Sequence, residues 1–143
     1  MNKLLKINLI GKLKFGDIPI NSLMNHFKDV NNISNIIGLY IPILYPKINH
    51  IGNNNHTCDN GNQYIVKYFT KNGLTFAPSN PSGTRRLCNI ELSHKLANKL
   101  TYICCDITNF PIITLKIIKG SELVNKYPRC VIPYKDKKWI FTK

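Results

Sequence analysis

The chain reads as an α+β fold: a single domain over residues 1–143, with a mainly antiparallel sheet flanked by two or three helices. Three observations predict it. Apolar residues recur at helical spacing through Leu87, Ile90, Leu96 and Leu100, with Cys88 and Leu92 widening the stripe. Directly afterwards Tyr102-Ile103-Cys104-Cys105 is apolar on both parities, the pattern of a strand covered on both faces. At the N-terminus and from Gln63 to Ala77, apolar and polar residues instead alternate with a period of two, as half-buried strands do.

The elements follow in order. Leu5, Ile7, Leu9, Leu13 and Phe15 share one parity and Lys6, Asn8, Lys12 and Lys14 the other, so the N-terminal stretch is expected as a first strand with a bend at Gly11. A transit peptide would be rich in Arg and Ser, and neither occurs before Ser22. Pro19 and Ser22 open a short helix that turns Leu23, Met24, Phe27 and Val30 inward and closes at Asn31-Asn32. Ile36 to Tyr45 is apolar on both parities and predicts a strand, placed at an edge or interrupted because Pro42 cannot donate a ladder bond.

Residues 47–62 form an Asn/Gly-rich segment expected as a flexible loop. It holds His50, His56, Cys58 and Asp59, the one place where metal-ligand residue types gather. Their spacings, H-x5-H and H-x-C, are not the paired spacings of zinc sites, and an inserted loop without a metal is the expectation. Tyr64, Val66 and Tyr68 then alternate against Ile65, Lys67 and Phe69, and Asn72-Gly73 precedes Leu74 to Phe76. Asn-Gly between β-formers signals a hairpin, because both residues tolerate a positive φ.

Ser82 and Thr84 are candidate caps for the helix that carries the Leu87–Leu100 stripe. Asn109-Phe110-Pro111 breaks the strand after it, and Ile112 to Ile118 begins the next. Ser121 is expected to cap a helix from Glu122 to Lys126 that Pro128 stops. The tail reads as two short strands, Cys130 to Tyr134 and Trp139 to Phe141, around a Lys135–Lys138 turn.

The net charge is +13, from 20 basic and 7 acidic residues. Such a balance suits nucleic acid or an acidic protein. Yet the cations are scattered, and only Arg85, Arg86 and Arg129 are the forked side chains that phosphate and base readers favour. The five cysteines stand at irregular spacings, with Cys104 and Cys105 on opposite faces of one strand, so free thiols in a reducing compartment are expected. No apolar run reaches the roughly 20 residues of a membrane helix.

No phosphate loop, dinucleotide fingerprint, nucleophile elbow or metalloprotease motif is present, and no two acids are spaced to share a proton-transfer task. Cys88 and His94 diverge around their helix and cannot form a dyad there. An enzyme is not expected, nor a cofactor. Arg85-Arg86 is the one electrostatically awkward pair, since cations in a first helical turn oppose the macrodipole. The pair is the candidate partner-binding site, set to meet carboxylates or phosphates.

From Leu74 to Lys126 a small-polar turn (PSNPSGT), a helix ending in ANKL, the strand TYICCDI, an Asn-Phe turn and a final strand running to a helix follow one another. This order resembles the proteasome assembly chaperone 4 family. The resemblance implies a small non-catalytic α+β protein that pairs with a related chaperone and helps assemble the α-ring of the 20S proteasome from its α-subunits. The expectation for function is therefore a scaffold or assembly chaperone in a hetero-oligomer, acting through protein–protein contacts, cytoplasmic or next nuclear, with no membrane partner. The alternative is a basic RNA-associated subunit such as an organellar ribosomal protein, whose lysines and Tyr/Phe hairpin would meet phosphate and bases.

Overall fold

A computed structural model gives the fold. It describes residues 3–8, 17–51, 55–58, 63–77 and 90–142, with the backbone alone at 3, 30–31, 34–36, 49–51 and 55–58. The elements run β1 (Lys3–Asn8), α1 (Ile20–Phe27), α2 (Val30–Leu44), β2 (Ile48–Ile51), β3 (Asn55–Cys58), β4 (Gln63–Phe69), β5 (Leu74–Thr75) and α3 (Ile90–Asn98). They continue with β6 (Thr101–Asp106), β7 (Ile112–Lys119), α4 (Gly120–Lys126), β8 (Val131–Ile132), a 3-10 turn (Tyr134–Asp136) and α5 (Lys137–Phe141). The fold is α+β.

Among the described residues the main sheet has the order β1-β7-β6-β4-β3-β2. Every neighbouring pair is antiparallel except β4 and β6, which run parallel with Val66 opposite Ile103. A parallel pair needs a long crossover, and here β5 and α3 lie on that connection. β6 sits between β7 and β4, and every residue from Tyr102 to Asp106 is buried. Its alternation feeds two cores. Tyr102 and Cys104 join Phe69, Phe76, Ala97, Ile118 and the C-terminal elements on one face. Ile103 and Cys105 join Val66, Ile113, Leu115 and the α2 isoleucines on the other.

The first strand forms as its parity demands over Lys3–Asn8, with Leu5 and Ile7 packed on the α2 side and Lys6 and Asn8 exposed. Its expected continuation through Gly11 to Phe15 lies outside the described residues. So do Ser82, Thr84, Arg85, Arg86, Leu87 and Cys88.

Helix α2 corrects the largest expectation. Ile36 to Tyr45 is not a strand, and Asn31-Asn32 do not close α1 but stand in the first turn of a 15-residue helix. Burial decides the matter. Ile33, Ile37 and Ile41 are all fully buried, while Leu39 and Ile43 are 61% and 71% exposed. In a strand, residues 37, 39, 41 and 43 would share one face; only a helix separates them this way. Pro42 is tolerated because it sits in the last turn, where the loss of one donor interrupts little of the ladder.

Smaller corrections share one cause, contact with a distant element. In α3 the buried residues are Ser93 and Ala97, while Ile90 and Leu92, expected inside, are exposed. The reason is Gly120: its N–H bonds the Leu100 carbonyl at 2.9 Å, and α4 crosses close over the end of α3. Helix α4 accordingly starts at Gly120, so Ser121 lies inside it and caps nothing. The Asn72-Gly73 turn forms, with Gly73 at φ 83 and mutual bonds to Thr70. The next strand, however, leaves β4 and pairs with β8 in a separate two-stranded sheet. Trp139 to Phe141 is helical, not a strand, which puts the adjacent Ile140 and Phe141 into the core and leaves Trp139 outside. The expected loop at 47–62 contains β2 and β3.

A Cβ at position 120 would overlap the Ala97 carbonyl oxygen, a backbone atom that cannot yield without shifting α3. Gly120→Ala should therefore destabilise the fold by about 2–4 kcal/mol. Chemical denaturation with an unchanged m-value would register it, and a loss below about 0.5 kcal/mol would contradict the close α3–α4 crossing.

Candidate functional site

Three places among the described residues bring chemistry-bearing or unsatisfied groups together: the β6 cysteines, the carboxyl end of the β4–β6 pair, and the outer face of α2.

Cys104 and Cys105 lie on opposite sides of β6, both fully buried, and Cys130 is buried beside the small sheet with a positive φ of 59°. All three are free thiols. Burial pushes the Cys104 thiol up to about 12, which nearby Lys116 only partly offsets. Burial also raises Cys105, with Asp106 and Cys104 adding to the effect. A nucleophilic cysteine needs the reverse, a stabilised thiolate open to solvent. These are core residues.

At the end of β6, Asp106 is 3% exposed. Its Oδ1 accepts from the Thr108 backbone N–H at 2.9 Å and from the Thr108 hydroxyl at 2.6 Å. Lys137 of α5 reaches its Oδ2 at 3.1 Å and also donates to Thr108 Oγ1 at 2.5 Å. The Thr108 hydroxyl thus donates a hydrogen bond to a carboxylate and accepts one from an ammonium. The carboxylate that accepts from it is itself paired with Lys137, and the cluster pins α5 to the β6–β7 turn. Beside it opens a cleft of ≈ 580 Å³ lined by Lys28, Asp29, Thr70, Lys71, Asn72 and Thr108. The cleft lies at the carboxyl ends of parallel strands, where open sheets commonly bind ligands. Its two lysines are exposed, and its described lining contains no cysteine, serine or histidine.

Sequence reasoning missed this network. The Asp106-Ile-Thr108 spacing suits an Asx turn and is visible along the chain; its partner Lys137 is a lysine among many. His94, considered along the chain only as unable to form a dyad with Cys88, donates from Nε2 to the Pro128 carbonyl at 2.5 Å and ties α3 to the segment after α4.

The outer face of α2 has a different character. No charged residue occurs from Val30 to Pro46 in a chain otherwise rich in lysine. The inner face is occupied by Ile33, Ile37 and Ile41 against the sheet. The opposite face presents Leu39 and Ile43, one turn apart, as the most exposed large apolar side chains among the described residues. A helix apolar on both faces is normally covered on both. A lysine stands beyond each end, Lys28 and Lys47, both exposed. Arg85 and Arg86, the partner-binding residues expected from sequence, lie outside the described residues. No described group of three His, Cys, Asp or Glu side chains could hold a metal ion.

Two outcomes follow. In native protein at pH 8, alkylation mapped by mass spectrometry should leave Cys104, Cys105 and Cys130 unmodified until denaturant is added. The Cys104 thiol keeps its proton when folded up to about pH 12 and loses it near 9 when unfolded. Its contribution should therefore be constant below about pH 9 and reduce stability from there toward 12, as the unfolded state alone ionises. Second, Asp106→Ala should cost about 2–4 kcal/mol, because the turn loses both Thr108 bonds and Lys137 loses its counter-ion. Lys137→Met, which keeps the stem of a side chain already 24% exposed, should cost under about 1.5 kcal/mol.

No family model, no curated protein and no solved structure matches this chain.

Proposed function

We propose that this protein is a non-enzymatic scaffold or assembly subunit that works by holding another protein, and that α2 is the surface that holds it. The observation that carries the reading is the uncharged 15-residue helix with fully buried isoleucines on one side and Leu39 and Ile43 exposed on the other. Exposed apolar area bounded by polar surface marks interaction sites. A membrane is the poorer occupant. At 1.5 Å per residue such a helix is about 22 Å long, short of the roughly 30 Å hydrocarbon core. No helix among the described residues is long and apolar enough to cross a membrane, and α2 lacks the Lys/Arg face of an interfacial helix.

Charge favours a different chain over a second copy. Two molecules at +13 repel, whereas an acidic partner would be drawn to the lysines at both ends of α2. The narrower reading, a subunit of an assembly chaperone acting on proteasome α-subunits, draws on the succession α3, β6, β7, α4 that carries the sequence resemblance.

Leu39→Glu with Ile43→Glu is the test. Both side chains are exposed, so each change should move stability by no more than about 0.5 kcal/mol. Affinity for the partner co-purified from native cells should fall at least about 30-fold, the cost of removing one central apolar anchor. Unchanged partner recovery would refute α2 as the surface. If the wild-type chain instead captures RNA with a steep salt dependence, the scaffold reading fails in favour of the RNA-associated one.

A further inference from the structure

Three turns meet at the cleft beside Asp106, and each is held by its own hydrogen bonds. The α1–α2 joint brings Lys28 and Asp29. There the Lys28 N–H bonds the Met24 carbonyl at 3.1 Å, and Asn32 Nδ2 bonds the His26 carbonyl at 2.8 Å. The turn after β4 brings Thr70, Lys71 and Asn72, closed by mutual backbone bonds between Thr70 and Gly73. The β6–β7 turn brings Ile107, Thr108 and Phe110, with the Ile107 N–H on the Phe69 carbonyl at 3.2 Å. Ile107 and Phe110 both pack against the α2-side core, so the cleft has an apolar wall. The rest of the lining is polar, and its charge is two ammonium groups against one carboxylate. The Thr70 hydroxyl accepts from the Asn72 N–H at 3.1 Å, which leaves its own proton for a further acceptor.

We propose that this cleft binds a small phosphate monoester with hydroxyls on its carbon body, a mononucleotide or a sugar phosphate. Its volume of ≈ 580 Å³ falls within the roughly 300–1,000 Å³ of small-ligand clefts. An apolar wall with a few convergent polar groups is also the composition of such sites. A phosphate monoester carries about −1.5 to −2 at neutral pH, enough to engage both Lys28 and Lys71. The Thr70 hydroxyl adds a neutral donor. Helix α2 begins at the residue after Asp29, so the positive end of its dipole adds to the same potential. Asp29 narrows the ligand class. Its carboxylate repels a bare anion, whereas sugar hydroxyls give it donors to accept from. Phe110 adds an aromatic group on which a base can pack. The cleft does not include the outer face of α2, and the proposal does not rest on the scaffold reading.

The test is calorimetric titration of the full chain with adenosine monophosphate, ribose phosphate, inorganic phosphate and adenosine. At least one of the two esters should bind at one site per chain, about tenfold or more tighter than inorganic phosphate or adenosine. Tighter binding of adenosine monophosphate than of ribose phosphate assigns a nucleotide, and Phe110→Leu should then remove the difference. Equal or reversed affinities assign a sugar phosphate. Lys28→Met and Lys71→Met should each lower ester affinity about tenfold or more, as loss of one charge-assisted hydrogen bond does. Both side chains are exposed, so these variants keep the fold. Lys138→Met, exposed on α5 and outside the lining, should change nothing. In wild-type protein, ester-induced NMR shifts should fall on residues 28–29, 70–73 and 107–110 and spare Leu39 and Ile43. The proposal is overturned if neither ester binds at millimolar concentration, or if inorganic phosphate or adenosine binds as tightly as the esters. Wild-type affinity in either lysine variant, or shifts centred elsewhere, would overturn it too.

Discussion

The structure depends on β6 being buried on both faces. Tyr102 to Asp106 offers the sheet no solvent side, so each alternate residue has to be covered by its own layer. One layer is α1 and α2; the other is α3, α4, α5 and the small β5–β8 sheet. Tyr102 ties the second layer down, its hydroxyl donating to the Phe76 carbonyl at 2.8 Å while its ring packs edge-on against Phe76. Fully burying a side chain of this class is worth about 1.5–3 kcal/mol, and the strand contributes to both cores at once. The chain's two halves are joined on this one element.

The two layers are finished differently. On the α5 side the C-terminal elements close over the sheet, and charge is handled locally by Asp106 with Lys137. Aromatic contacts extend to the surface, where Tyr127 meets Trp139 edge-on at 5.6 Å and Lys126 lies 4.6 Å from the Trp139 ring centroid. On the α2 side the inner face is as dry as a core, yet the outer face carries Leu39 and Ile43 and no charge. The cysteines, by contrast, are held as neutral groups inside the two cores.

Much of the fold was legible because its signals are local. The double-parity burial of β6, the period-two parity of β1 and β4, the Asn72-Gly73 turn and the β6–β7 break all follow from neighbouring residues. The misreadings have equally definite causes. Ile36 to Tyr45 is rich in β-branched residues, and its helical state becomes visible only once Ile37 and Ile41 are buried while Leu39 and Ile43 are not. Trp139 to Phe141 fails for the same reason: tertiary cover, not propensity, selects the helix. The candidate surface was illegible in turn, since its significance rests on the face that α2 leaves uncovered.

By itself the sequence determined the α+β class, the buried central strand, the free thiols on its two faces, and a strong positive charge without a catalytic motif. These depend on period, composition and residue type, which a linear chain carries. Only the tertiary structure decided that β4 and β6 run parallel, that Gly120 must accept the end of α3, and that Asp106 meets Lys137. It alone set His50 opposite His56. Each of these joins residues far apart or a register between strands, and a pairing across space has no signature in the order of the residues that make it.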